Sequence, residues 1–241
     1  MTILNGADSI ATVFKGSRAI SSEPWLVRTL IHAFGVLDKD AHVYYNDNTG
    51  VGVKPVPGSN KILPEHRIFR LVYQSVHEGL SGTRLEDTER RLVANFAAQI
   101  SHADISQEGW TFVPDLYGSL IRKMCFIATT TSWFGSRIFD AAPDLEPDFW
   151  RFESHLPSLF KEVPQWLSPS SYRARAKMQD NMRRWHELAH AEYDITKGTD
   201  DPRDWEPTFG SRLLRNWHAF FRNMPLSKET KAADDLGLLW A

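Results

Sequence analysis

Apolar residues recur every three or four positions along most of the chain, which is the spacing that gathers them on one face of an α-helix. The clearest case is residues 113–135, VPDLYGSLIRKMCFIATTTSWFG, where the final Gly135 is typical of a helix end. This segment predicts a helix of about six turns with one broad apolar stripe. The stripe consists of Val113, Leu116, Tyr117, Leu120, Ile121, Met124, Ile127, Ala128 and Thr131.

Similar periodicity, with helix-capping residues before it and Gly or Pro after it, predicts further helices. These cover residues 8–17, 24–34, 64–78, 85–100, 148–162, 171–194 and 209–222, and continue from Ser227 onward. Residues 41–60 instead mix Gly, Pro and Asn with β-branched and aromatic residues, which favours extended chain, turns and a hairpin. No internal repeat or long linker divides the chain. We therefore expect residues 1–241 to form one mainly α domain, with minor β structure near residues 41–60.

Composition adds few constraints. The chain has 42% hydrophobic and 24% charged residues and a net charge of -2, so its overall charge does not suggest a nucleic-acid or membrane-surface partner. Cys125 is the single cysteine and cannot form an internal disulfide. There is no long uninterrupted apolar run and no signal-peptide pattern at the N-terminus. The expectation is a soluble, cytoplasmic chain without a membrane anchor.

A possible zinc motif occurs in the sequence HELAH. His186 and His190 are four residues apart, so they would share a helix face and could bind Zn²⁺, with Glu187 activating a metal-bound water. Asp200 or Asp201 could supply a third ligand. This arrangement would indicate a zinc-dependent metalloprotease. The alternative is an ordinary core helix, because an apolar stripe lies between the two histidines. That stripe consists of Met178, Met182, Trp185 and Ala189.

A second signal is spread over most of the chain. Four stretches, in this order and spacing, resemble part of a cytochrome P-450, a haem-thiolate monooxygenase, and especially its fungal branch near sterol 7α-hydroxylases and prostacyclin synthases. They are residues 7–36, residues 113–135, residues 143–178, and residues 205–217 together with 232–241. The resemblance implies an incomplete P-450 fold that covers the N-terminal half of a family member. It also implies haem, O₂, a reductase and an apolar small-molecule substrate such as a sterol, lipid or secondary metabolite.

The same resemblance accounts for the apolar end of the chain, AADDLGLLWA. It implies that this run is the start of the long helix that crosses the fold beside the haem, cut after Ala241. Leu236, Leu239 and Trp240 would then contact the substrate. The aromatic residues Trp150, Phe152, Phe160 and Trp166 would lie in the roof of the substrate pocket, although core packing is the simpler explanation for large aromatic side chains at helical spacing.

The catalytic half of the family pattern is not found in this sequence. The haem-ligating cysteine of the family lies in a loop that has no counterpart here, and Cys125 is predicted to be a small buried hydrophobe inside a helix. Relative to the family pattern, we also expect this chain to lack the usual membrane anchor, which places family members at the endoplasmic reticulum. The sequence thus predicts a truncated P-450-like chain. The alternatives are the zinc metalloprotease and a non-catalytic helical remnant that acts by association.

Overall fold

Helices dominate the computed structural model, which describes residues 6–16, 22–103, 109–110, 112–196 and 203–240. The α-helices of these residues are α1 (Ala7–Lys15), α2 (Glu23–Thr29), α3 (Asp38–Asn46), α4 (Ile68–Gly79), α5 (Thr83–Ser101), α6 (Arg122–Phe134), α7 (Ile138–Ala141), α8 (Leu145–Phe160), α9 (Pro169–Glu192), α10 (Arg212–Asn223) and α11 (Lys228–Trp240). Two π-helical segments, Leu30–Phe34 and Leu116–Ile121, follow α2 and precede α6, and Pro64–His66 forms a 3₁₀ turn. The predicted mainly α fold class is confirmed.

The predicted position of the β structure is wrong. Residues 38–46 are helical, and no strand is described between residues 41 and 60. Asp38 and Asp40 place two carboxylates in the first turn of α3, where they favour the helix. The two short strands of the described residues are β1 (Trp205–Glu206) and β2 (Gly210–Ser211), which pair antiparallel with Trp205 opposite Ser211.

The loop after α3 is held by one buried arginine instead of a partner strand. Arg67 is 3% exposed, and its guanidinium donates to the backbone carbonyls of Thr49, Gly50, Gly52 and Val53. It also donates to the hydroxyl of Thr49 at 2.8 Å. These bonds satisfy the carbonyl groups that strand pairing would otherwise have to satisfy. The segment after α3, despite its β-like composition, therefore forms a loop around the side chain of Arg67.

The helix predicted over residues 113–135 is confirmed only in its second part, because α6 begins at Arg122. Its buried positions alternate along the helix and so fall on two sides, and α6 contacts α5, the β hairpin, α8 and α10. A narrow stripe at four-residue spacing, Ile121, Cys125 and Thr129, stays exposed. Cys125 is therefore exposed, and its predicted burial is wrong because the sequence pattern suggested a single buried face.

Gly135 ends α6, as its sequence position predicts, and brings the helix end into contact with the β hairpin. Its φ of +87° belongs to glycine, and a Cβ atom there would lie 2.3 Å from the carbonyl oxygen of Pro207. Gly210 faces the same contact from the hairpin, also with a positive φ. The amide of Arg137 then donates to the Pro207 carbonyl at 2.9 Å. Backbone thus packs on backbone between α6 and the hairpin.

Trp185 of α9 lies at the centre of the hydrophobic core and is fully buried. Its ring packs edge-on against Phe134, Phe209 and His218, with centroid distances of 5.3, 5.7 and 5.4 Å. Its indole N–H donates to the backbone carbonyl of Thr208 at 2.9 Å, so its one polar group is satisfied. This side chain joins α6, α9, α10 and the hairpin.

The four aromatic residues that the resemblance places in a pocket roof have different environments. Phe152 is fully buried, and Trp150 is half-buried beside Phe126 with the guanidinium of Arg122 over its ring at 3.7 Å. Phe160 is half-buried and packs against Trp240. Trp166 is 81% exposed. Core packing therefore accounts for Phe152, whereas Trp166 takes no part in the core.

The last helix, α11, confirms the helix predicted from Ser227 onward, and its first turn is capped from another helix. The Asp40 carboxylate of α3 accepts hydrogen bonds from the backbone amide of Ser227 at 3.1 Å and from the hydroxyl of Thr230 at 2.6 Å, and it also bonds the Ser227 hydroxyl. A carboxylate at a helix N-terminus also interacts favourably with the helix dipole. Burial alone would raise the pKa of Asp40, but the bonds from Ser227 and Thr230 outweigh it and lower that pKa.

We expect Asp40→Asn to destabilise the protein by about 1–3 kcal/mol at pH 7, because the capping bonds lose a charged acceptor. Since the pKa of Asp40 is lowered on folding, its stabilisation is present above the pKa of the unfolded state and is lost as pH falls through the folded value. Urea unfolding at pH 7 and at about pH 2.5 measures the free energy of unfolding of both proteins, and the difference between them should be smaller at the lower pH.

The matched control is Asp38→Asn, which changes an exposed carboxylate in the first turn of the same helix. It should change the free energy of unfolding by less than about 0.5 kcal/mol. An Asp40→Asn deficit of equal size at both pH values would contradict a role for the charge.

Candidate functional site

The side chains with chemical potential gather around α11. One side of the helix presents Gly237, Leu238 and Trp240 to an apolar groove. Asp234 lies at the wall of the same groove and meets Tyr44 of α3, whereas Asp235 points toward histidines of α9 and α10. Ala232 and Ala233 are fully buried, and their small side chains let α11 lie close to its neighbours. The two sides of α11 therefore offer different chemistry.

The apolar groove has a volume of about 280 Å³, near the lower end of the range for small-molecule pockets. It lies between α11, α2 with its π-helical extension, α4 and α10. Most of its lining is hydrocarbon or aromatic, including Leu26, Leu30, Val72, Val76, Trp217 and Leu238. A site of this composition suits an uncharged apolar ligand.

Trp240 separates this groove from a wider, more polar cavity of about 710 Å³. Its ring lies 5.8 Å from the ring of Phe34 and 5.8 Å from that of Phe160, and it is 39% exposed. Arg28 and Glu162 form an ion pair at the rim of the wider cavity, with Arg28 Nη2 2.7 Å from Glu162 Oε2. The groove is thus apolar inside with a charged rim on one side.

Tyr44 and Asp234 supply a polar pair at the wall of the apolar groove. The tyrosine hydroxyl donates to Asp234 Oδ2 at 2.6 Å, and both side chains are buried. Burial, together with the neighbouring Asp235, raises the pKa of Asp234 well above its usual range, although the bond from Tyr44 opposes the shift. Burial and the Asp234 carboxyl likewise raise the pKa of Tyr44. Asp234 is therefore biased toward its uncharged form.

The pKa of Asp235, the next residue, is shifted in the opposite direction to that of Asp234. Asp235 is 1% exposed, and its Oδ2 lies 2.5 Å from His186 Nε2 and 3.2 Å from His218 Nε2. Burial alone would raise the pKa of Asp235, but His218 and the hydrogen bond from His186 outweigh it and lower the pKa. Burial lowers the pKa of His186, and the Asp235 carboxylate opposes that shift only in part. The pKa values of two adjacent carboxyls on one helix are thus shifted in opposite directions.

A polar cavity of about 380 Å³ opens beside this cluster. His186 and His218 reach it from inside, while Glu187 and His190 lie on its exposed side. The cavity also has four basic side chains in its lining, Arg183, Arg222, Lys228 and Lys231, together with the acidic Glu187 and Glu229.

The predicted zinc residues do not converge on each other. His186 is directed at Asp235, the rings of His186 and His190 lie 6.2 Å apart, and Glu187 is exposed. Asp200 and Asp201 lie outside the described residues. The structure instead groups His186 with His218 and Asp235. Sequence reasoning missed the latter two because His186 and Asp235 are 49 residues apart, and the only local signal was a pair of aspartates within an apolar run.

The three residues predicted to contact a substrate have different positions. Leu236 is fully buried in the core, and Leu239 is partly buried against it. Trp240 lines both the apolar groove and the wider cavity. Gly237 and Leu238, which the sequence analysis did not single out as ligand contacts, line the groove with it. That Leu236, Leu239 and Trp240 contact a substrate stays a prediction.

The described residues do not fit a haem-thiolate centre. Such an iron is held by a cysteine thiolate, and the one cysteine of the chain, Cys125, is exposed on the outer stripe of α6. It has no enclosing apolar surroundings to protect an iron–sulfur bond. We therefore assign no step of haem chemistry to residues of this chain.

Comparison with known proteins finds fungal cytochrome P-450 monooxygenases. The chain is 30% identical over 247 aligned residues, 99% of its length, to the cytochrome P-450 monooxygenase fsoE of Humicola fuscoatra. It is 28% identical over 70% of its length to efuG of Hormonema carpetanum, and 22% identical over 95% of its length to calL of Penicillium decumbens, both named cytochrome P-450 monooxygenases. No protein-family model and no solved structure matches the chain significantly.

These relatives are much longer than the chain. The aligned region spans 39%, 30% and 42% of fsoE, efuG and calL, respectively. The similarity therefore concerns less than half of each relative. Among the described residues, no helix combines the length and apolar character needed to cross a bilayer.

We expect the chain, when mixed with haem and reduced under carbon monoxide, to lack the red-shifted Soret band of a thiolate-ligated haem. The reason is that Cys125 is exposed. Absorption spectra of the native chain and of Cys125→Ser should be the same. A red-shifted band that is present in the native chain and lost in Cys125→Ser would contradict this assignment.

Proposed function

We propose that this chain is the substrate-binding, N-terminal part of a cytochrome P-450 monooxygenase that oxidises an apolar small molecule. The observation that carries the proposal is the 30% identity to fsoE, which extends over 99% of the chain. Similarity over nearly the whole chain favours a shared fold more than a short shared motif would. The activity of the complete enzyme would need O₂, haem and electrons from a reductase.

The apolar groove beside α11 supports this proposal. Its volume and lining suit part of an uncharged ligand, and Trp240 offers a large flat ring at its edge. Tyr44 and Asp234 place hydroxyl and carboxyl groups at the groove wall, where they could recognise a single polar group on such a ligand. We therefore assign to this chain the binding and desolvation of substrate, and not the oxidation itself.

The finer family assignment is also part of the proposal. We infer that the chain belongs near the sterol 7α-hydroxylase and prostacyclin synthase branch, on the resemblance of residues 7–36, 113–135, 143–178, and 205–217 together with 232–241. Sterols and lipids are accordingly the ligand classes to test first. The comparisons give no support to the metalloprotease alternative.

We expect the chain to bind 1-aminoanthracene, an uncharged apolar fluorophore, in the groove beside α11. Trp240→Ala should weaken binding about tenfold, because a large apolar contact is lost. Leu238→Asp should weaken it by more than about tenfold, because a charge would face hydrocarbon. Fluorescence titration measures the affinities, and displacement by ergosterol or by palmitate distinguishes a sterol site from a fatty-acid site.

The matched control is Trp166→Ala, which removes a tryptophan that is 81% exposed. It should change the affinity by less than about twofold. Circular dichroism must show that each variant remains folded. Equal binding by the native chain and by folded Leu238→Asp would argue against the groove as the ligand site.

A further inference from the structure

The strongest unassigned feature is the cluster of His186, His218 and Asp235. Each residue comes from a different helix, α9, α10 and α11, so only the packed fold brings them together. One ligand atom from each residue can be chosen such that all three lie within 4.8 Å of one another. We propose that these three side chains form a site for one divalent transition-metal ion, with Zn²⁺ as the expected occupant.

The donor set supports this assignment. Two imidazole nitrogens and one carboxylate oxygen form a ligand set that proteins use for Zn²⁺ and similar ions. Both Nε2 atoms approach the same oxygen, Asp235 Oδ2, at 2.5 and 3.2 Å. Three donors directed at one small volume can be spread by an ion to metal–ligand distances of about 2.0–2.2 Å with small side-chain movements.

The incomplete hydrogen bonding inside the cluster also points to a bound ion. His218 Nε2 and Asp235 Oδ1 are both buried, and neither has a hydrogen-bond partner in the described structure. The contact between His218 Nε2 and Asp235 Oδ2 is close enough for an ion pair but lacks hydrogen-bond geometry. Buried polar atoms without partners are costly. A cation bound by His218 Nε2 and by both oxygens of the Asp235 carboxylate would satisfy these two atoms.

The position of the cluster gives an ion a route and an open coordination position. His186 and His218 line the polar cavity of about 380 Å³, which reaches the surface beside Glu187 and His190. A site with three protein ligands and access to solvent can bind water or another small ligand as its fourth. His190 is not part of the group of ligand atoms that lie within 4.8 Å of one another, and its side chain is exposed.

Zinc titration of the full chain, with a chromophoric chelator as competitor, tests this proposal. We expect one Zn²⁺ per chain, and Asp235→Asn and His218→Gln should each weaken binding at least 100-fold. His190→Gln should change the affinity less than threefold. This pair of results separates the proposed site from the HELAH motif, in which His190 would be essential and His218 would have no role.

X-ray absorption of the zinc-loaded native chain identifies the zinc ligands directly, so it tests the proposal even if a variant does not fold. Two imidazole ligands and at least one oxygen ligand at Zn²⁺ are expected. Zinc should also raise the thermal unfolding temperature of the native chain, because it binds only the folded cluster. Failure of the native chain to bind one equivalent would overturn the proposal. So would unchanged affinity in His218→Gln, or loss of binding in His190→Gln.

Discussion

Two neighbouring carboxyls on α11, those of Asp234 and Asp235, are the constraint around which the helices meet. Both are buried, and a buried carboxyl is tolerated only when its surroundings either neutralise it or supply partners. Tyr44 of α3 meets the first, and His186 and His218 meet the second. The same two residues therefore bind α11 to α3, α9 and α10. Hydrophobic contacts around Trp185 and Leu236 then fill the space between these helices.

This arrangement separates two chemical environments by the width of one helix. On one side of α11 lies a hydrocarbon-lined groove, and on the other lies a histidine–aspartate cluster next to the polar cavity. The first suits the apolar ligands expected from the similarity to fungal P-450 monooxygenases. The second has no counterpart in that expectation. A single helix thus contributes to a hydrophobic surface and to an ionic cluster, because successive residues of a helix point about 100° apart.

The sequence predicted most helices because their apolar periodicity is a local property. It failed where a tertiary contact decides the outcome. Residues 41–60 have the composition of extended chain and a hairpin, but their first part is helical and the guanidinium of Arg67 donates to the carbonyl groups of residues 49, 50, 52 and 53. Cys125 has apolar neighbours in sequence, yet α6 is covered on two sides and leaves it on the uncovered stripe. His218 and Asp235 could not be grouped with His186, because only the packing of α9, α10 and α11 makes them neighbours.

The arginine-centred loop has a consequence for sequence variation. Arg67 recognises main-chain oxygen atoms, and almost every contact it makes would exist whatever side chains the loop carried. Val51, Val53 and Val56 are exposed around it. Homologous chains could therefore exchange most of these side chains freely while keeping the same loop shape, provided that the guanidinium and the small residues around it persist. The guanidinium of Arg67 would then keep the loop backbone in place while the exposed side chains of the loop differ.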